Sequence, residues 1–230
     1  METSILVVED DDVLREVMAD GLRAAGHDVR AVADAAGAFG ALAEGGLDLL
    51  LLDVGLGAGP DGVEVCRRLR RDDHDLYVMM LTARDAEAEV VLALEAGADD
   101  YVTKPVGLAE LRSRVAAALR RVSRAEDRSG DDVLRHDALM LRPGPRTAAA
   151  AGTDLRLTPS EFAVLETLLR AGGSVRSRTD LLRAIFGDDD HRDPRAVDVH
   201  VHHLREKIEA AGGDPAAIAT VRGAGYRLGA

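Results

Sequence analysis

In its first half the chain alternates short, unbroken apolar runs with longer stretches where apolar residues recur every three or four positions. Ile5-Leu6-Val7-Val8, the Leu47–Asp53 stretch with its four consecutive leucines, and Tyr77-Val78-Met79-Met80-Leu81 are too short for buried helices. They read as strands buried on both faces. His27–Val32 and Tyr101-Val102-Thr103 read as two more. Between the first two strands, Leu14, Val17, Met18, Gly21 and Leu22 share a helical face, with Asp12 as the expected cap and Gly26 as the stop. An alanine-rich helix reaches about Glu44, a third carries Val63, Cys66 and Leu69 inward, a fourth covers Asp85–Ala96, and a fifth runs to about Arg124. Five rounds of strand then helix imply an α/β fold with a doubly wound five-stranded parallel sheet, order 2-1-3-4-5. In that order Glu9, Asp10, Asp53, Thr82 and Lys104 stand at strand tips along one rim.

The second half has a different rhythm. Residues Val122–Asp132 are polar and read as a linker, which places a first domain at 1–122, the linker at 123–132 and a second domain at 133–230. Short strands are expected around Val133–Arg135, Leu139–Leu141, Arg146–Ala148 and Leu155–Leu157, with Ala148–Ala151 irregular. Thr158-Pro159-Ser160-Glu161 is a capping box that opens a helix, Ser177 caps a second, and Asp193-Pro194 starts a third ending at Gly212-Gly213. Two strands around Gly223-Ala224-Gly225 then form a hairpin. Three helices and a hairpin describe a winged helix-turn-helix. Its third helix buries Val197, Val201, Leu204 and Ile208, so Arg195, His202 and Arg205 are expected to face outward with His200 and His203 on the flanks. With Arg222 on the wing, these are the candidate DNA contacts.

Charge sharpens the division. Residues 1–126 hold 14 basic and 25 acidic groups, whereas 127–230 hold 15 and 16 together with five of the seven histidines. An acidic domain and a nearly neutral, Arg/His-bearing one imply different partners. A single cysteine excludes a disulfide framework, and Cys66 reads as a small core residue. No charged leader with an apolar core and no apolar run of membrane-spanning length is visible, so a soluble cytoplasmic protein without membrane contact is expected.

A strand-end aspartate is by itself ordinary loop chemistry. Three carboxylates in one crevice are not, because they repel unless a cation neutralises them. Oxygen ligands that leave room for water and phosphate suit Mg²⁺. With the metal present, Asp53 can act as a nucleophile towards a phosphoryl group, and Lys104 and Thr82 supply the cation and hydroxyl that its oxygens need.

The motifs Val7-Val8-Glu9-Asp10, Leu51-Leu52-Asp53, Leu81-Thr82-Ala83, Gly97-Ala98-Asp99-Asp100-Tyr101 and Lys104-Pro105 occur in order. So do Leu157-Thr158-Pro159-Ser160-Glu161-Phe162, Val197-Asp198-Val199-His200-Val201 and Arg222-Gly223-Ala224-Gly225-Tyr226. Over nearly its full length the chain resembles two-component response regulators of the OmpR/PhoB type. That resemblance implies a phosphorylation-activated DNA-binding transcriptional regulator rather than an enzyme. Asp53 would be the phosphoacceptor, and Asp10, Asp53 and the Gly55 carbonyl would ligate Mg²⁺, with Glu9 acting through water. Thr82 and Tyr101 would form the switch pair, and Lys104 would hold a phosphoryl oxygen beside a cis peptide to Pro105. The implied partners are a sensor histidine kinase, double-stranded promoter DNA, RNA polymerase and a second copy of the chain. Dimerisation would use the fourth helix, fifth strand and fifth helix, pairing Asp100 with Arg114 and Asp99 with Arg121.

Departures from the family pattern carry expectations of their own. Val90 stands where a basic partner for Glu110 is usual, so with Val91, Leu92 and Leu94 a more apolar dimer face is expected. Gly57 replaces the usual proline, and the loop to Asp61-Gly62 is one residue longer. Gly55 leaves a phosphoryl group without a side-chain cover, unless Arg84 shields it. Two other readings compete: a constitutive dimerisation module joined to a DNA-binding domain, and a hydrolase. The complete set of five rim residues disfavours the first, and the lack of a nucleophile elbow or P-loop disfavours the second.

Overall fold

The computed structural model describes residues 3–57, 59–72, 76–83, 87–126, 132–187 and 196–229, the side chains of 83, 87, 88 and 121–126 excepted. The chain divides into two compact units, 1–120 and 121–230.

In the first unit, strands β1 (Ser4–Val8), β2 (Asp28–Val32), β3 (Leu49–Asp53), β4 (Tyr77–Ala83) and β5 (Asp100–Lys104) alternate with helices α1 (Asp12–Arg23), α2 (Ala35–Glu44), α3 (Gly62–Arg71), α4 (Glu87–Glu95) and α5 (Leu108–Glu126). The five strands form one sheet in the order β2-β1-β3-β4-β5, parallel throughout. Every residue of β3 is buried, because the strand has neighbours on both edges and helices on both faces. Side chains alternate across a strand. Leu50 and Leu52 accordingly join Ala38, Leu42, Val63, Cys66 and Leu69 of α2 and α3 in one core, while Leu49 and Leu51 are equally buried on the opposite face. There α1 and α5 lie side by side, with Arg112 Nε donating to the Gly21 carbonyl at 2.8 Å. Burial pushes the Cys66 thiol up to about 11, as a core cysteine requires.

Two local expectations are corrected. Asp11, not Asp12, caps α1, accepting from the Leu14 amide at 2.8 Å. The fifth helix continues to Glu126, so residues 123–126, expected to be linker, are helical. Serine, arginine, alanine and glutamate tolerate an exposed helix as readily as a linker, and polarity cannot tell the two apart.

The second unit opens with an antiparallel sheet of β6 (Leu134–His136), β7 (Leu139–Arg142), β8 (Thr147–Ala150) and β9 (Thr153–Leu155). The alanine run expected to be irregular is the inner strand β8, paired with β7 and β9. Alanine has weak strand preference, and the two flanking ladders override it. Helices α6 (Pro159–Arg170), α7 (Arg178–Phe186) and α8 (Ala196–Ala210) follow, the first two opened by complete capping boxes at Thr158 and Ser177. The hairpin β10 (Ile218–Val221) and β11 (Gly225–Leu228) closes the chain, with Tyr226 also bridged to Arg176 before α7.

Candidate functional site

Parallel strands of equal hand end on the same edge, and the register decides which side chains meet there. Asp53 lies opposite Leu81, Thr82 opposite Thr103, and Ala83 opposite Lys104. Glu9 and Asp10 follow the last residue of β1, itself the neighbour of β3. Glu9, Asp10 and Asp53 each place a carboxylate oxygen within 4.8 Å of the others. Glu9 and Asp53 are buried and Asp10 is exposed, so the trio opens to solvent on one side only. Lys104 Nζ sits 2.7 Å from both Glu9 Oε2 and Asp53 Oδ1. Burial, reinforced by the Asp53 charge, raises the Glu9 carboxyl above its ordinary range, with Lys104 acting against it. Burial also works to discharge Lys104, but hydrogen bonds to Asp53 and Glu9 outweigh it and hold the ammonium above its usual range. On the same rim, Thr82 is wholly buried and its Oγ1 has no hydrogen-bond partner among the described residues. A buried hydroxyl without a partner is costly, and tolerable where a ligand oxygen completes it.

The donor set fits Mg²⁺. It offers hard carboxylate oxygens, one ligand facing water, and more negative charge than a single lysine balances. A Cβ built on Gly55 would lie 3.7 Å from Asp53 Oδ2, in ordinary contact with the carboxylate, so a side chain there could be accommodated without displacing it. A Cβ on Gly57 would lie 3.2 Å from Asp10 Oδ2, which brings the lengthened loop against the exposed acid. The peptide between Lys104 and Pro105 is cis. Arg84 lies outside the described residues.

Sequence reasoning overlooked two supports of this rim, Arg15 and Gly62, and a third contact, made by Arg70, at the opposite edge of the sheet where β4 and β5 begin. Arg15, one turn into α1, donates from Nη1 to the Glu9 carbonyl at 2.8 Å and also pairs with Asp12, which pins the tip of β1. Gly62 opens α3 against the backbone of Asp53: its amide donates to the Val54 carbonyl at 3.0 Å, and a Cβ there would meet the Asp53 carbonyl oxygen at 2.0 Å. The signal was present, since Asp61-Gly62 pairs a helix cap with the one residue that has no Cβ. Arg70 binds the Gly97 and Leu76 carbonyls and the Asp99 carboxylate, at 2.8, 2.8 and 2.7 Å. No local pattern announces a contact across so many residues.

That last contact corrects an expectation. In the single chain Asp99 is 0 % exposed and bound by Arg70 and by the Val78 amide, where a carboxylate exposed to Arg121 of a second copy was expected. The Arg121 side chain lies outside the described residues. Asp100 is also buried and accepts from the Tyr101 amide, while Arg114 pairs with Glu110 one turn earlier. Tyr101 itself is half-buried. On α4, Val90 is half-buried, Val91 and Leu92 are 43 % exposed, and Leu94 is buried in the core, so Leu94 leaves the expected apolar face.

In the second unit, α8 buries Val197, Val201, Leu204 and Ile208 as its spacing predicts. His200 joins them at 2 % exposure, which removes it from the expected DNA-facing set. His202 is exposed, and its Nε2 lies 3.4 Å from Glu206. His203 is largely covered; burial lowers its pKa, opposed by the charge of Glu161, 3.8 Å away. Glu161 is buried, caps α6 through the Thr158 amide, and accepts from Lys207 Nζ at 2.6 Å. Both lysines of the chain thus neutralise buried glutamates. Arg205, expected to point at DNA, turns to the hairpin instead: Nε and Nη2 donate to the Ile218 carbonyl and Nη2 to Thr220 Oγ1. Arg222 is exposed at the hairpin turn, and Arg195 lies outside the described residues.

Two family models match the chain: the response regulator receiver domain over residues 5–116, and the C-terminal domain of transcriptional regulatory proteins over residues 152–228. The chain is a two-component response regulator of the OmpR/PhoB type. The transcriptional regulatory protein AfsQ1 of Streptomyces coelicolor is 42 % identical over 98 % of this chain and 97 % of its own. The sensory transduction protein RegX3 of Mycobacterium tuberculosis is 39 % identical over 98 % and 99 %. Among solved structures, a RitR mutant aligns over 99 % of both chains with a TM-score of 0.80 at 24 % identity, which speaks to the fold. As a response regulator this chain couples a receiver to a DNA-binding output domain, and phosphorylation-dependent activation is the mechanism of its family. Among the described residues no helix is long and apolar enough to cross a membrane.

Proposed function

We propose that Asp53 accepts a phosphoryl group from a sensor histidine kinase and that the acylphosphate converts this protein into a dimeric, promoter-binding transcriptional regulator. The observation that carries the reading is the combination of a buried hydroxyl, Thr82 Oγ1, with no partner among the described residues and an ammonium already on Asp53. Asp10, Asp53 and the Gly55 carbonyl would hold Mg²⁺, with Glu9 acting through water; the ion supplies charge neutralisation for the incoming phosphate. An Asp53 carboxylate oxygen attacks phosphorus as the phosphorus–nitrogen bond to the donor histidine breaks. Lys104 then exchanges its hold on the Asp53 carboxylate for a phosphoryl oxygen, and Thr82 donates to another.

Phosphorylation adds about −1.5 to −2 charges to a rim balanced by one lysine. Drawing Thr82 towards that charge frees space into which Tyr101 turns, and the α4–β5–α5 face changes with it. Of the two acid–arginine pairs expected across a dimer, this reading keeps Asp100 with Arg114, which requires the buried Asp100 carboxylate to turn outward on activation. Arg114 gives up only an exposed pair with Glu110 to make it, at a cost of a few tenths of a kcal/mol. Val90, Val91 and Leu92 add apolar contact. In the output domain Arg195, His202 and Arg222 would meet promoter DNA, with His203 a contact only at its exposed edge. RNA polymerase as a partner and a cytoplasmic location follow from the same reading.

Incubation with acetyl phosphate should label the wild-type protein only when Mg²⁺ is present, and Asp53→Asn should not be labelled. Equal labelling of the variant would place the phosphoacceptor elsewhere. Val90→Glu should leave labelling intact while weakening phosphorylated self-association at least about tenfold in sedimentation equilibrium, since it sets a charge in a desolvated apolar contact. Unchanged association would remove α4 from the interface.

A further inference from the structure

The hairpin is tied to α8 by an arginine–tyrosine assembly whose members come from three elements. Tyr226 of β11 donates from its hydroxyl to Asp198 Oδ1 at 2.6 Å, and Arg178 at the start of α7 binds the same carboxylate through Nε at 2.7 Å. Guanidinium groups lie over the Tyr226 ring from Arg178, at 5.1 Å, and from Arg205, at 5.7 Å. Arg205 completes the tie, forking onto the Ile218 carbonyl and Thr220 Oγ1 of β10. A side chain fixed at several donors loses its freedom once, on folding, and holds its partners in register thereafter. Beyond this assembly the hairpin is a two-stranded sheet bridged at Arg176, with Ile218 and Leu228 buried and His136 on the Gly229 carbonyl, and these contacts anchor its base rather than the Arg222 turn.

We infer that Arg205 is a positioning residue that sets the wing relative to α8, so that the contribution of Arg222 to DNA binding depends on Arg205. This rests on the DNA-binding reading of the output domain and adds a coupling to it. Two cations that each met DNA independently would contribute separately. A cation that aims the wing makes the other's contact conditional on itself.

The test is a double-mutant cycle on the phosphorylated full-length chain, binding a duplex recovered by in vitro selection with that chain. Arg222→Ala should weaken binding about fivefold and reduce the salt slope by about one. Arg205→Ala should weaken it at least as much, and Arg222→Ala should then cost less than about twofold in the Arg205→Ala background. Arg205→Lys guards against a folding artefact: it keeps the charge, cannot fork onto both acceptors, and should show the same coupling. Losses that multiply in both backgrounds would overturn the inference. A wild-type chain that selected no duplex would instead count against the DNA-binding reading itself.

Discussion

Gly62→Ala will cost the receiver about 3 kcal/mol, the upper end of the range for overpacking, and will lower its calorimetric transition by on the order of 10 °C. The added methyl has nowhere to go. Its ideal position is 2.0 Å from the Asp53 carbonyl oxygen and 2.9 Å from the carbonyl carbon, both backbone atoms of a strand buried along its whole length. Either α3 retreats, breaking the Gly62–Val54 hydrogen bond and opening the core around Val63 and Cys66, or the tip of β3 bends and carries Asp53 away from Lys104. Both outcomes reach the site, so Mg²⁺-dependent labelling should fall with stability. Gly40→Ala is the matched control, because Gly40 lies on the exposed side of α2 with open space around its Cβ. That change should stabilise by up to about 1 kcal/mol. Equal melting of the two variants would show that the close approach at Gly62 is relieved at no cost.

Lys104→Met should produce the second-largest change, and its size should depend on pH and metal. Removing the ammonium leaves the buried Glu9 and Asp53 carboxylates without their counter-charge. Breaking a buried ion pair costs about 3–5 kcal/mol. Lys104 is 24 % exposed and partly screened by water, so about 2 kcal/mol is expected at pH 8 in chelator. The sign with pH follows from Glu9. Its carboxyl is raised in the folded chain by burial and then by Asp53, and loss of Lys104 raises it further. A group raised on folding contributes its stability fully below the unfolded value and loses it as pH rises through the folded one. The variant should therefore regain stability between pH 8 and pH 5. Mg²⁺ should restore it at pH 8 by supplying the missing positive charge. In the wild type, Lys104 is itself raised, so its contribution persists through neutral pH and disappears only above the ordinary lysine range. A variant as stable as wild type at pH 8 without metal would mean that the ion pair is energetically idle.

What the pattern of residues made legible, and what it did not, separates along one physical line. Periodicity reads a face but not the edge of a face. In α8 the spacing of Val197, Val201, Leu204 and Ile208 located the buried stripe correctly. His200 lies three residues after Val197 and four before Leu204, at the border of that stripe, where spacing alone read a flank and packing buries it. Arg205 was read outward because the spacing places it off that stripe. The carbonyl and hydroxyl that turn it towards the hairpin come from residues 218 and 220, which no local pattern joins to it. The same applies to Asp99, just before β5, whose partner Arg70 lies on α3, 29 residues away. The alanine strand β8 failed for the converse reason. Its own residues argue weakly for any structure, and its two neighbours decide.

The sequence by itself determined the order of the elements, the strand order of the receiver and the five rim residues. Apolar runs mark their own strands, and crossovers of one hand then leave few ways to arrange them, all with Glu9, Asp10, Asp53, Thr82 and Lys104 on one edge. Only the tertiary structure decided how those residues are occupied. It placed Lys104 between two carboxylates, buried Thr82 with no partner for its hydroxyl among the described residues, set Gly62 against the backbone of Asp53 and turned Arg205 to the wing. The reason is that partners are chosen by distance and burial after packing, and neither quantity is a property of any one stretch of chain.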